Sequence, residues 1–307
     1  MHSKKVVFIV GPTATGKSDI AFELAKDIPL QIVSCDSVQV YKEINIASNK
    51  PSAEILKRIP HHLVNIVSLT DRFDVSRFYQ RSSAAVESIL NSQQLPVVVG
   101  GSGLYVKVLL DGIFKGADPD LELREQLRKE AEDYGNEHLH DRLMSMDPQA
   151  AKKIHFNDLK KIIRALEVCL VERQPITGKQ HQCEGLWGKY DIAIFGLNCR
   201  REILYDQINK RVDIMFEAGL IEEVRGIEGV ELSPSASGII GIREVRGYLQ
   251  DEYSLDAAKD LMKQNTRRFA KRQLTWFRKE KRVNWMDVPP GTPKKDIVNI
   301  IREKTGL

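Results

Sequence analysis

One segment restricts this chain more than any other. Gly11-Pro12-Thr13-Ala14-Thr15-Gly16-Lys17-Ser18 fits G-x-x-x-x-G-K-[ST]. It follows Val6-Val7-Phe8-Ile9-Val10, a continuous β-branched run of the kind found in a strand buried on both faces. It precedes Ile20, Ala21, Leu24 and Ala25, which are apolar at helical spacing within Ser18–Lys26. A strand, a glycine-rich turn and a helix make the context in which this motif cradles phosphate. The glycines let the backbone wrap a diphosphate, and the amide N–H groups and the positive helix end face the anion. Lys17 reaches the outer phosphate, and the Ser18 hydroxyl can bind Mg²⁺. The loop grips a diphosphate whatever is attached to it, so the motif predicts a phosphorylated ligand and leaves its identity open.

More strands continue the pattern. Gln31–Ser34 and Pro96–Gly100 read as strands, Leu63–Val67 as a third candidate, and Ile192–Leu197 as the last. Strands alternating with helical segments predict an α/β fold with a parallel sheet. Near Lys115 the character changes. Gly116-Ala117-Asp118-Pro119-Asp120 is a breaker cluster, followed by charged helical patterns over Leu121–Tyr134, Glu137–Ser145 and Asn157–Glu172. Asn157 is a candidate cap for the last of these. Gly178–Gly188 reads as loop. From Arg200 onward the chain reads as helical, with Val212, Met215, Phe216, Leu220, Val224 and Ile227 forming one apolar stripe. The expected organisation is a core begun by residues 1–114, a helical insertion at 115–187, and a return to the core at 188–307.

Composition excludes several classes. In 307 residues the net charge is only +4, and no apolar run approaches the roughly 18 residues of a membrane span. The N-terminus lacks a signal-type apolar region. Cys35, Cys169, Cys183 and Cys199 form no C-x-x-C pair, which disfavours structural zinc and a disulfide framework. A cytoplasmic protein with reduced thiols is expected. His61, His62 and His155 lack a carboxylate partner at ligand spacing and make a poor metal site.

Two further segments carry candidate chemistry. Asp36, in Ser34-Cys35-Asp36-Ser37-Val38-Gln39-Val40-Tyr41, lies at the carboxyl end of the second strand, the edge where open α/β sheets bind ligands. A carboxylate there can be a magnesium ligand, a general base or a cap, and position does not choose among them. From Lys263 to Arg282 there are nine Lys or Arg and one acid, Glu280. Arg267, Arg268, Lys271, Arg272, Arg278, Lys279 and Arg282 recur at three-to-four spacing and could share one helix face. Such a cluster is either a solvated helix or a contact surface for nucleic-acid phosphates.

Taken together, several segments resemble the bacterial-type tRNA dimethylallyltransferases, also called tRNA isopentenyltransferases. They are residues 11–18, 36–41, 60–67, 100–112, 147–168, 211–224 and 265–278, in the family's order and across nearly the whole chain. Asp36-Ser37-Val38-Gln39-Val40-Tyr41 and Asn265-Thr266-Arg267-Arg268-Phe269-Ala270-Lys271-Arg272-Gln273 are the specific ones. The resemblance implies a fold like that of P-loop nucleotide-binding proteins, with a helical insertion and a helical C-terminal region. It implies transfer of a dimethylallyl group from its diphosphate to the exocyclic amine of an adenine. That adenine lies 3′ of the anticodon in tRNAs reading codons that begin with U. A nucleoside triphosphate is the usual guest of such a loop, whereas in this family the loop holds the prenyl diphosphate, with Mg²⁺.

Residue by residue, the resemblance implies Asp36 as general base, and Lys17 and Arg211 on the diphosphate. It implies the tRNA anticodon stem-loop on Asp36, Ser37, Val38, Gln39, Ser102, Arg124, Lys160, Lys161, Arg164, Lys271 and Arg272, and a monomer. Ser18 and Ser102 replace a common threonine and keep the hydroxyl. Phe156 and Ile242 replace a common proline and tyrosine in segments near the RNA. Two rivals share the loop: an adenylate isopentenyltransferase, which needs neither the insertion nor the basic helix, and a small-molecule kinase, which needs a nucleoside triphosphate.

Overall fold

The computed structural model describes residues 4–114, 120–180, 183–289 and 291–307. The Gly116–Pro119 part of the breaker cluster lies outside them. The chain folds as two compact units, residues 1–110 with 186–307, and residues 111–185.

The first unit is built on a parallel sheet of six strands: β1 (Lys5–Val10), β2 (Leu30–Cys35), β3 (His61–His62), β4 (Leu95–Gly100), β5 (Asp191–Asn198) and β6 (Val283–Asp287). Their order is β3-β2-β4-β1-β5-β6. Strand β1 sits centrally, pairing Val7 with Val97 on one side and with Ala193 on the other. Val6 through Val10 have no solvent exposure, which is why this strand reads as an unbroken apolar run. Burial of such side chains contributes roughly 1.5–3 kcal/mol each. One face of the sheet packs Val7, Ile9, Val97 and Val99 against Ile20, Ala21 and Leu24 of the Lys17–Leu24 helix and Ile297, Val298 and Ile301 of the Lys294–Thr305 helix.

Two expectations about strands are corrected. The third strand is His61–His62, in register with Ile32 and Val33, and not Leu63–Val67. Leu63 and Asn65 take φ of 63° and 58°, a left-handed conformation that ends extension; only a single bridge, Tyr41 to Val67, survives beyond it. The region after Arg200 is not wholly helical either. Val283–Asp287 forms the edge strand, pairing Ile194 with Val283 through Asn198 with Asp287. Of its five residues only Met286 is buried, so it carries almost no hydrophobic signal, and the neighbouring strand decides its conformation. The apolar stripe expected from Val212 to Ile227 is divided between two helices, Arg201–Glu217 and Leu220–Arg225, with Gly219 at φ 97° between them and Ile227 in the turn that follows.

The second unit is helical: Leu121–Tyr134, Asn136–Met146, Pro148–Lys153, Leu159–Glu172 and Ile176–Gln180. Its core gathers Leu127, Leu139, Leu143, Ile162 and Leu166. The caps are carboxylates. Asp120 accepts from the Leu123 amide at 2.9 Å and Asp147 from Ala150 at 2.9 Å, each satisfying a donor the helix leaves free. Asp158, not Asn157, caps the Leu159–Glu172 helix, accepting from Lys161 N. The Ile176–Gln180 helix occupies the start of the segment expected as loop. The unit closes at Gly185 because the Leu186 and Trp187 amides donate to Leu109 O and Leu110 O of the first unit, both at 2.9 Å. Among the described residues no helix is long and apolar enough to cross a membrane and no cysteine is in a disulfide, Cys35 and Cys169 being buried.

Candidate active site

The functional residues of the first unit collect at the carboxyl ends of β1, β2 and β4. The loop Gly11–Ser18 leaves β1 under tight constraint. Gly11 has φ 138°, and a Cβ there would stand 2.7 Å from Leu197 O, so only glycine fits against β5. Gly16 at φ 79° opens the helix with no side-chain cap, leaving its first amides to a ligand. Thr15 Oγ1 and Lys17 Nζ both donate to Pro12 O, at 2.9 and 2.6 Å. The Lys17 ammonium is thus curled over its own loop.

Thr13 is held twice. Its amide donates to Gln273 Oε1 at 2.8 Å, and its hydroxyl accepts from Arg211 Nη1 at 2.6 Å. Gln273 is buried and also donates from Nε2 to Gly101 O at 3.0 Å. A Cβ on Gly101 would lie 2.2 Å from that nitrogen. One side chain of the Leu255–Phe277 helix therefore ties the phosphate loop to the end of β4.

Asp36 follows β2. Its Oδ1 accepts from the amides of Val38 at 2.8 Å and Gln39 at 3.4 Å, which shapes a turn rather than capping a helix. Ser102, after β4, accepts on its hydroxyl from the Ser37 amide at 3.2 Å.

Two hollows meet at these residues. The first, about 170 Å³, is lined by the loop residues Thr13, Lys17 and Ser18 together with Asp36, Gln39 and Arg211. The second, about 340 Å³, is walled by apolar side chains, among them Phe73, Tyr105, Met215, Ile239, Met262 and Phe269. Thr13, Asp36, Ser48, Asn49 and Arg211 line both. Burial, and then the neighbouring Arg211 charge, lowers the Lys17 pKa to about 7, with Asp36 pulling the other way. Burial lowers the Arg211 pKa too, against Asp36 and Asp19. Burial disfavours the charged form of both groups around one hollow, and an anion placed there would favour it.

The Ser18 hydroxyl and Asp36 carboxylate are hard oxygen donors facing the same hollow. Among the described residues no group of three or more His, Cys, Asp or Glu side chains is placed to hold a metal. That set fits Mg²⁺, which draws much of its coordination from substrate phosphates and water. It fits no all-protein cage, and His61 and His62 are engaged with Ile59 O and Gln31 Oε1.

The structure brings Lys17, Ser18, Thr13, Asp36, Gln39 and Arg211 together and treats the remaining candidates differently. Gln39 has both ends of its amide in use, accepting from Ser34 Oγ at 2.8 Å and donating to Asn49 O at 3.2 Å. Ser37, Val38 and Arg272 line the apolar hollow, whereas Lys271 faces a separate one with Arg201 and Arg278. The basic residues thus do not share one face. Arg267 is taken by Asn209, at 2.6 Å, and Arg282 by Glu280, at 2.7 Å. Of the aromatics interleaved among them, Phe277 is core and Phe269 lines the apolar hollow.

In the second unit, Arg124 and Arg164 both bind Glu167, which is 2% exposed. Arg124 grips it bidentately at 2.7 and 2.8 Å. Burial works to raise the Glu167 pKa, but the two guanidinium groups hold it below its ordinary value. Lys161 pairs with Asp158, and Lys160 is exposed.

Three residues escaped the sequence reading. Gln273 ends the Asn265–Gln273 motif, where its lack of charge among cations was the signal. Glu223, within the 211–224 segment, accepts from the amides of Asn45, Ile46 and Ala47 at 2.6–2.8 Å and so holds the loop that brings Ser48 and Asn49 to both hollows. Asn49 itself, at φ 48°, gave no signal.

The model of the IPP transferase family matches residues 39–280. A tRNA dimethylallyltransferase of Acetivibrio thermocellus is 41% identical over 285 residues, covering 92% of this chain and 91% of that protein. The crystal structure of a tRNA isopentenylpyrophosphate transferase from Bacillus halodurans superposes with a TM-score of 0.72 at 36% identity, covering 99% of this chain and 97% of that one. A eukaryotic dimethylallyltransferase described as acting on tRNA gives a TM-score of 0.84 at 25% identity, over 99% of this chain and 80% of its own. With the phosphate loop, the Asp36 turn and the arginine of the 211–224 segment gathered at one sheet edge, and with relatives matched along nearly its full length, the chain belongs to the IPP transferase family.

Proposed function

We propose that the chain transfers a dimethylallyl group from dimethylallyl diphosphate to the exocyclic amine of the adenine 3′ of the anticodon, in tRNAs reading U-initial codons, and releases diphosphate. One observation carries the reading: a cation-lined hollow and an apolar hollow share a wall made of Thr13, Asp36 and Arg211. A prenyl diphosphate has the same two-part character, and its reactive carbon joins the parts.

In this reading the loop amides, Lys17 and Arg211 bind the diphosphate, and the apolar wall takes the five-carbon chain. As the allylic C–O bond breaks, charge grows on the leaving diphosphate, where preorganised donors stabilise it. Mg²⁺, held by Ser18, would supply further charge for that group. The adenine amine is a weak nucleophile because its lone pair is delocalised into the ring. As nitrogen forms its bond to the allylic carbon it loses a proton, which the Asp36 carboxylate accepts. The base must leave the loop stack to reach this wall, as bases do in other enzymes that modify them.

The test is mass spectrometry of nucleosides from unmodified tRNA incubated with the protein, Mg²⁺ and dimethylallyl diphosphate, beside a tube holding ATP instead. A prenyl mass gain on adenosine in the first tube alone is expected. No gain there, with ATP turnover in the second, would overturn the reading in favour of a kinase.

A further inference from the structure

A third hollow, about 220 Å³, lies between the first turns of the Arg201–Glu217 helix and the last turns of the Leu255–Phe277 helix. It shares no lining residue with the two hollows of the active site. Lys271, Thr275 and Arg278 line it from one stripe of their helix, spaced so that they face the same way. Arg201, Leu204 and Tyr205 line the other side.

Its charge is one-sided. Three cations line it and no acid does; Glu202, in the first turn beside Arg201, is not part of the wall. Elsewhere on these two helices two lysines have carboxylate partners. Lys210 pairs with Asp206 at 2.8 Å, and Lys263 with Asp213 at 2.6 Å. Like charges gathered in a concavity repel one another unless an anion joins them.

Two further features favour a phosphate. The Arg201–Glu217 helix begins at Arg200 without a side-chain cap, so its first amides and its dipole are open to an anion. Arg201 lies over the Tyr205 ring, 5.1 Å from its centroid, with Arg267 at 5.9 Å from the same ring. Stacking fixes the plane of a guanidinium and leaves its donors to fork onto phosphate oxygens.

We propose that this hollow binds a backbone phosphate of the RNA substrate, outside the reaction site, through Arg201, Lys271 and Arg278. The proposal rests on the tRNA reading above. Continuity along one helix points to RNA rather than to a free anion. Arg272, the residue after Lys271, lines the active-site hollow, and Arg268 is exposed one turn away, so cations of one helix serve both this hollow and the site where the RNA base must arrive.

The experiment is RNA binding by the full chain, measured across a salt series, for the wild type, Arg201→Gln with Arg278→Gln, and Arg278→Lys. A thermal melt checks that each variant is folded. The double variant is expected to bind all RNAs more weakly and to lower the slope of log affinity against log salt by about 1, the share of one lost phosphate contact. Arg278→Lys keeps the slope, and the KM for dimethylallyl diphosphate stays that of the wild type. An unchanged slope in a folded double variant, while the wild type binds RNA, overturns the proposal alone. A wild type that neither binds nor prenylates RNA overturns the tRNA reading with it. If inorganic phosphate shows ³¹P line broadening that the double variant abolishes while the RNA slope is unchanged, the hollow is a free-anion site and the RNA assignment falls.

Discussion

Raising the pH through the Lys17 pKa is expected to loosen diphosphate from the loop. Burial and the Arg211 charge lower the Lys17 pKa to about 7. A diphosphate replaces the lost solvation with negative charge and restores the proton. Binding therefore takes up a proton whenever the free protein has lost it. Below pH 7 the affinity is flat with respect to this group. Above it, each pH unit costs about tenfold, so affinity falls about fiftyfold from pH 7 to pH 9. Calorimetry in two buffers of different ionisation enthalpy reads the uptake directly, and it approaches one proton at pH 9. Lys17→Met measures what the ligand's own titration contributes, and Lys17→Arg keeps a charge that does not titrate here, so both flatten the profile. The same shift acts on stability with the opposite ligand dependence. Between pH 7 and the ordinary lysine value of 10.5 the unfolded chain holds a proton that the folded protein without diphosphate lacks. Stability of the unliganded protein thus rises with pH across that window. A wild-type affinity that is independent of pH from 7 to 9, or a slope equal to that of Lys17→Met, would refute the reasoning.

Three other outcomes follow from single contacts. Asp36→Asn keeps the Oδ1 that accepts from Val38 and Gln39 but loses the base; turnover is expected to fall about 10²–10⁴-fold with RNA binding retained, and near-normal turnover in single-turnover assays would remove Asp36 from that role. Gln273→Leu preserves volume and strands the Thr13 amide and Gly101 O, at roughly 1–3 kcal/mol for each buried unpaired group; the expected readouts are a lower melting temperature and a raised KM for the prenyl diphosphate, and an unchanged KM would show that the loop holds its shape without this tie. Arg124→Ala removes a bidentate partner from buried Glu167 and is expected to destabilise residues 111–185 by about 1.5–3 kcal/mol, measured by hydrogen exchange along the Leu159–Glu172 helix; full protection in the variant would mean that Arg164 alone suffices.

The α/β class, the phosphate loop, the place of Asp36 and the helical insertion are all legible in the chain, because each is a local pattern. Continuous β-branched runs mark strands buried on both faces. Gly11, Gly16 and Lys17 mark a turn whose geometry is almost independent of its surroundings. The Leu159–Glu172 helix was legible but its cap was not, since Asp158 rather than Asn157 accepts from the Lys161 amide. What remained hidden was set by distant partners. Strand β6 exists because Ile194–Asn198 offers it a ladder, not because Val283–Asp287 is apolar. The hold of Gln273 on Thr13 and of Glu223 on the Asn45–Ala47 amides spans more than 170 residues, and no spacing rule reaches that far. Nor could the sequence divide its own basic run. Lys271 and Arg272 are neighbours in the chain, yet one faces a hollow with Arg201 and the other faces the site of Asp36, because successive residues of a helix point about 100° apart. The chemistry these side chains can perform is inherent in their identity; which of them meet, and around which hollow, is decided only when the sheet and its helices close.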